Sequence, residues 1–446
     1  MAQECKMAQI LIDGWSDFCL SAEQFQQISV DFASAMEDGL QGKPSSLQML
    51  PSFIGQPAGN ETGTYLALDF GGTNVRVAEV NLYGGGKTTI SRISKVSLRN
   101  ESEGYDYTGA DTHVRDLFSF IARQVAVVAN GSEQKLGHSF SYASRQTAIG
   151  RAKFVGWTKE IKVAGLAGQD INGLLSEELA KQNIVNVHPV AVLNDTTATL
   201  LAAAYECPEA ADMGSVCGTG HNTCYFETNP HHGDPKQVMA YNAESGGFDR
   251  LPFTSYDEQL DQDSEYPGRQ RLEKMVAGRY LGELTRRILW AGRGNCGMQF
   301  LTEWPALRQA DGLSTVDLAI FIGDGTKELE HIGARLSEMM PDKSVSLAER
   351  HFIKAVAEMV VDRSATLIAA TYAGFLRRLD PHRQRRHVIG VNGSLYEKMP
   401  GFADRIKSVL STHGAWSADR VSFAVVNEAP LVGAAIAAAM AVSEEQ

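Results

Sequence analysis

The stretch Leu66 to Val80, LALDFGGTNVRVAEV, decides how this chain folds. Leu66 and Leu68 fall on one face of an extended run that ends at Asp69, two glycines follow, and a second β-prone run begins at Asn74. That order predicts a strand, a tight turn and a returning strand. Gly71 and Gly72 carry no Cβ, so the amides of the turn are open to close approach by an anion. Thr73 and Asn74 add side-chain donors, Arg76 adds a cation, and Asp69 stands at a strand's carboxyl end, where a side chain faces a cleft. A Gly-Gly pair alone marks an ordinary hairpin. Asp69 and Thr73 in the same turn point to a phosphate grip.

Gly214 to Glu227, GSVCGTGHNTCYFE, repeats the pattern about 150 residues on. An apolar strand leads into a turn of Gly218, Thr219, Gly220, His221 and Asn222, and a second strand covers Thr223 to Phe226. Two such hairpins predict a duplicated α/β architecture, each half giving one turn to a shared nucleotide cleft. This is the layout of the group that holds actin, sugar kinases and heat-shock chaperone ATPases.

At 446 residues and 43% hydrophobic, the chain exceeds what one core usually spans, so two lobes are expected. A net charge of −12 argues against nucleic acid or an anionic membrane surface as the main partner. The six cysteines show no CxxC spacing, which fits reduced thiols in a cytoplasmic protein. Glu4, Lys6, Asp13 and Asp17 break any secretory apolar core. Ala429 to Val442 is short for a bilayer span and reads as a buried helix. Other patterns carry no chemistry. Gly292, Gly294 and Gly297 follow a helical run rather than a strand, Gly86-Lys87-Thr88 lacks the first P-loop glycine, and the His231-His232 pair has no third ligand. Arg377 to His387 reads as a charged helix end and loop.

Between and beyond the hairpins lie groups suited to an uncharged polyhydroxy substrate. Leu136 to Gln146 (LGHSFSYASRQ) precedes Gly156-Trp157-Thr158-Lys159, and Val190 to Thr199 (VAVLNDTTAT) is a strand ending at Asn194-Asp195. An amide beside a carboxylate at a strand's carboxyl end makes Asp195 a candidate base, while Asp195 or Thr196 also suits the N-cap of the following Ala/Leu-rich helix. Glu244 falls at a turn in YNAESGGF, and Pro267 to Glu283 begins a helix carrying Gln270 and Glu273.

Taken together, LALDFGGTNVRV, LGHSFSYASRQ, GWTKEIKV, LNDTTAT, CGTGHNTCYFE, NAESGGF, LDQDSEYPGRQRLEKMVAGRYLGEL and IGVNGSLYEK resemble the motif series of the eukaryotic-type hexokinases, in that family's order, from about residue 50 onward. The resemblance implies the actin-like ATPase (ribonuclease H-like) fold, with two lobes around a deep cleft. It also implies phosphoryl transfer from ATP, with Mg²⁺, to the 6-hydroxyl of glucose or a related hexose, the first step of glycolysis. By the same resemblance Ser141, Thr158, Lys159, Asn194, Asp195, Asn222, Glu244, Gln270 and Glu273 contact the sugar. Asp69, Gly71, Gly72, Thr73, Asn74, Arg76, Gly218, Thr219, Gly220, Gly393 and Ser394 surround the nucleotide, Asp69 holding the metal through a water. Asp195 and Lys159 are the implied catalytic pair.

The chain departs from the family pattern at Ser141-Tyr142-Ala143, where Ser-Phe-Pro is usual, and at Glu160, where glycine is usual. Ser245 replaces a common tryptophan and Asn392 a usual aspartate, changes that bear on sugar and nucleotide choice. The small lobe is expected over residues 56–194 plus 430–446 and the large lobe over 1–55 plus 195–429. One copy of the motif set predicts a single catalytic unit. A second reading, a hexose-binding sensor of the same fold, is disfavoured because the acid-base and phosphate groups survive.

Overall fold

The computed structural model describes residues 18–157, 161–228, 238–293 and 298–444. Its two large sheets repeat one topology. In the first, the antiparallel meander Thr62–Phe70, Asn74–Tyr83 and Thr88–Ser97 is extended by Gln134–Phe140 and then Val187–Leu193, both parallel to Thr62–Phe70. In the second, the meander Ala211–Cys217, His221–Glu227 and Met239–Asn242 is extended in the same way by His387–Asn392 and Val421–Val425, with Leu50–Pro51 added at the other edge. The duplication expected from the two glycine hairpins is thus present strand for strand.

Parallel strands need crossovers, and helices supply them. Val114–Val128 and Ile171–Lys181 serve the first sheet, and Leu347–Leu379 and Phe402–Thr412 serve the second. Each sheet's last strand runs into one more helix, Asp195–Glu206 in the first half and Ala429–Glu444 in the second. These two helices pack on each other between the sheets. Their residues form a single buried cluster with Ala67, Ala78 and Val80 of the first sheet and Cys224, Phe226 and Ala240 of the second. Separate cores fill the helical side of the larger half and the outer face of the smaller one.

Small residues make that central contact possible. A Cβ on Gly433 would overlap the Ala198 carbonyl, and one on Gly137 would overlap the carbonyl of Ala434. Alanine fills most of the remaining contact, consistent with the absence from the described residues of any helix long and apolar enough to cross a membrane. Ala429–Glu444 is therefore the buried helix its composition suggested.

The basic run after the long helix divides. Residues 381–386 are exposed, as a charged loop should be, but His387 is buried. Its Nδ1 lies 2.7 Å from Asp212 and its Nε2 3.3 Å from Asp380. Burial disfavours the charged ring, yet Asp212 and Asp380 together raise the His387 pKa above the usual histidine value.

Gly433→Val should destabilise the protein by about 1–3 kcal/mol, measured as a lower denaturant midpoint, because the added methyls meet backbone that cannot rotate away. Because the folded pKa of His387 lies above the unfolded value, its contribution is complete below about pH 6.5 and is lost as pH rises through the folded value. Unfolding free energy should decline over that window in the wild type and stay flatter in His387→Gln.

Candidate active site

The carboxyl ends of the parallel strands in both sheets converge on one cleft. Asp69 closes one strand at Phe70, Ser141 follows another, and Asn194 follows a third. In the second sheet Gly218 follows Cys217, Gly393 follows Asn392, and Val426 follows Val425. This is where open α/β sheets place ligands.

Asn194 starts the helix that carries Asp195. The cap is Asn194, not Asp195 or Thr196: Asn194 Oδ1 accepts from the Thr196 amide at 3.0 Å and also from Thr196 Oγ1. Asp195 thereby occupies the first turn, where the helix end favours negative charge, and its Oδ1 accepts from the Thr196 amide at 2.9 Å.

Asn222 is the hub of the polar wall opposite. Its Oδ1 accepts from the amides of Thr223 (2.7 Å) and Ser245 (3.1 Å), which fixes the amide so that Nδ2 faces acceptors. That nitrogen lies 2.9 Å from Asn242 Oδ1 and 3.4 Å from both Glu244 Oε1 and Thr196 Oγ1. Asn242 Nδ2 in turn donates to Glu244 Oε1 at 2.7 Å. A continuous network therefore runs from Asn194 through Thr196 and Asn222 to Asn242 and Glu244. Glu273 joins the wall from another helix, its Oε2 accepting from the His221 amide at 3.0 Å. A Cβ on Gly246 would sit 2.7 Å from Gln270 Oε1 and 3.1 Å from Glu273 Cβ, so these segments touch without slack.

Backbone strain collects here. Glu244 and Gln270 adopt left-handed conformations at φ 54° and 51°. Each costs on the order of 1–3 kcal/mol for a residue other than glycine, and such costs persist where surrounding structure enforces them. Gln270 enters the short helix Arg271–Val276 rather than lying within a longer one begun at Pro267.

On the first glycine hairpin, Asp69 and Arg76 face each other across the two strands. Arg76 donates to Asp69 Oδ2 from Nε at 2.8 Å, and its Nη1 reaches Glu428 at 2.6 Å, linking the hairpin to the start of the C-terminal helix. Gly71, Gly72, Thr73 and Asn74 form the turn itself, with the Gly71 amide donating to Asn74 O at 3.2 Å. The second turn, through Gly218, Thr219 and Gly220, is seated on the helix Gly278–Gly292, whose first amides donate to Gly218 O (2.8 Å) and Thr219 O (3.1 Å). Gly393, at φ 137°, lies so close that a Cβ there would be 2.8 Å from the Gly218 nitrogen, and Ser394 is exposed beside it.

The departures from the family pattern have structural meaning. Tyr142 donates from its hydroxyl to Gly71 O at 3.1 Å, a tie between the Ser141 loop and the first glycine turn that a phenylalanine lacks. Burial, with Asp195 and Asp69 nearby, pushes its phenol well above the usual value, so it stays a neutral donor. Asn392 donates to Val426 O at 2.9 Å, a bond no carboxylate makes. Ser245 is fully buried in the short turn Ser245–Gly247, its hydroxyl donating to Thr223 Oγ1 at 3.2 Å. Thr158, Lys159 and Glu160 lie outside the described residues, as does the His231-His232 pair. Asn242 and Glu428 are absent from the sequence reading, while Thr196 enters it only as a cap candidate and Tyr142 only as a departure from the family pattern. Asn242, two residues before Glu244 in a strand end, carried a usable signal, whereas the Glu428 contact spans 352 positions and had none.

A family profile described as Hexokinase matches residues 212–440, and a second with the same description matches residues 13–205. Hexokinase-1 of Schizosaccharomyces pombe is 34% identical over 403 residues, covering 87% of this chain and 81% of its own length. The Schistosoma mansoni hexokinase is 33% identical over 420 residues, 88% of each chain. A solved structure of the hexokinase from Schistosoma mansoni complexed with glucose superposes with a TM-score of 0.84 at 30% identity, covering 98% of this chain and all of that one.

Proposed function

This chain belongs to the hexokinase family, and from that premise we propose how it works as an ATP-dependent hexose kinase. The substrate is glucose or a related hexose, phosphorylated at its 6-hydroxyl. The observation that carries this reading is the network from Asn194 to Glu244, a wall of amides and carboxylates beside a carboxylate on a helix's first turn.

A sugar hydroxyl is a weak nucleophile, and phosphoryl transfer passes through a loose transition state, so alignment and charge neutralisation do most of the catalysis. Asp195 accepts the 6-hydroxyl proton as the bond to phosphorus forms and the bond to the leaving ADP oxygen breaks. Lys159 offsets charge on the transferring group. Asn194, Asn222, Glu244, Gln270 and Glu273, with Ser141 and Thr158, hold the ring hydroxyls. A wall of polar groups that expects partners penalises a sugar lacking one. Asn242 belongs to that wall by fixing Asn222 and Glu244. The two glycine turns, with Thr73, Asn74, Arg76, Thr219, Gly393 and Ser394, receive the nucleotide.

The donor set suits a magnesium ion that arrives with the nucleotide. Asp69 is the carboxylate of the first phosphate hairpin and its Oδ2 already accepts from Arg76, while no cluster of three or more His, Cys, Asp or Glu among the described residues could cage a metal. Asp69 would hold Mg²⁺ through a water. The ion, when bound, neutralises the phosphate oxygens.

We place the small lobe at 56–194 plus 430–446 and the large lobe at 1–55 plus 195–429, so the chain changes lobe at the Asn194-Asp195 step. Closure of one on the other would exclude water, the competing nucleophile. A cytoplasmic location suits a kinase drawing on cellular ATP.

Asp195→Ala should lower kcat by about 10²–10⁴-fold with thermal stability nearly unchanged, read by coupled ADP release over a hexose panel. Sugar-independent ADP release, or full turnover in Asp195→Ala, would sink the reading. Asn242→Ala should raise KM for glucose about tenfold, since Asn222 and Glu244 each lose a partner worth roughly 1–2 kcal/mol, while KM for ATP holds steady.

A further inference from the structure

Gln270 and Glu273 reach the cleft from a segment poorly equipped to hold itself. The helix Arg271–Val276 has six residues, no side-chain cap bond, and a left-handed entry at Gln270. Its neighbours leave little room for error, because Gly246 packs on Gln270 and Glu273, and Glu273 Oε2 stands 3.0 Å from where a Cβ on Gly220 would be.

Beneath it lies a buried charge pair outside the sugar wall. Asp261, in the last turns of the helix Ser255–Gln262, is 2% exposed, and Lys274 is 5% exposed. Lys274 Nζ donates to Asp261 Oδ1 at 2.6 Å and to Tyr266 O at 2.8 Å. Asp261 Oδ2 accepts from the Gly268 amide at 2.8 Å and from Arg271 Nη1 at 3.2 Å. Arg271 also binds Glu258 at 2.5 Å and lies over the Phe253 ring at 3.8 Å. One carboxylate therefore ties the loop at Gly268 to the helix at Arg271 and Lys274, clamping Gln270 and Glu273 from both sides.

Burying two opposite charges recovers little net stability over packed apolar side chains, so such a pair is better explained by the geometry it enforces. We propose that Asp261 and Lys274 are positioning residues for hexose recognition, setting the height and rotation of Gln270 and Glu273 against the cleft. Neither touches the sugar. The inference rests on the hexokinase reading and adds to it two residues that act through others.

The test separates position from stability with Lys274→Met and the double variant Asp261→Asn/Lys274→Met. The single variant strands a buried carboxylate and should lower Tm. The double variant removes both charges and should recover most of that loss. In both, KM for glucose should rise at least tenfold, kcat should fall less than threefold, KM for ATP should stay within twofold, and preference for glucose over its epimers should narrow. Arg286→Met, which breaks the buried Glu283–Arg286 pair in the helix Gly278–Gly292, is the control and should lower Tm with KM for glucose unmoved. If KM for glucose returns to wild type along with Tm in the double variant, or stays unchanged in the folded single variant, the pair is merely structural and the inference falls alone. If the wild type shows no hexose-dependent turnover, the kinase reading and the inference fall together.

Discussion

The contact on which the rest of this structure depends is the close crossing of two helices, Asp195–Glu206 and Ala429–Glu444, between the two sheets. It exists because Gly433 lets one backbone settle onto Ala198 of the other and Gly137 lets the first sheet come up against Ala434. A side chain at either glycine would hold the halves apart. Then the carboxyl ends of the two sets of parallel strands would no longer face a common cleft. The same helix that makes the seam presents Asp195 at its first turn, so the architecture and the proposed proton acceptor share one element.

From that seam the polar wall is built by short-range chemistry. Asn194 follows a strand, caps the helix and binds Thr196; Asn222 lies at the start of a strand and fixes the adjacent segment through the Ser245 amide; Asn242 closes the gap to Glu244. Amides dominate the wall because each offers a donor and an acceptor, and a chain of them can be satisfied internally before any ligand arrives. The left-handed turns at Glu244 and Gln270 are the conformational cost of aiming two long side chains from tight bends.

Much of this was legible in the sequence. Both glycine hairpins and the helices after Asn194 and Ala429 follow from periodicity and turn chemistry, and their repetition foretold two sheets of one topology. What local pattern could not supply were contacts made by distant segments. Arg76 gives no hint of Glu428, and the charged run to His387 looks solvated until the strand beside it brings Asp212 into reach. Asp261 and Lys274 were in view only as part of a family motif; that they form a buried pair depends on the fold. Likewise Tyr142 stands out in the sequence only as a departure beside Ser141, and only the geometry reveals its bond to Gly71.

In the proposed reaction, the cleft between these sheets directs a phosphoryl group from ATP onto one hydroxyl of a bound hexose rather than onto water. Phosphorus and carbon NMR of a reaction containing the protein, Mg²⁺, ATP and ¹³C-labelled glucose tests it most directly. A single phosphate ester on the 6-oxygen, formed in step with ADP, is the expected result. Inorganic phosphate as the main product, or an ester on a ring hydroxyl, would contradict it.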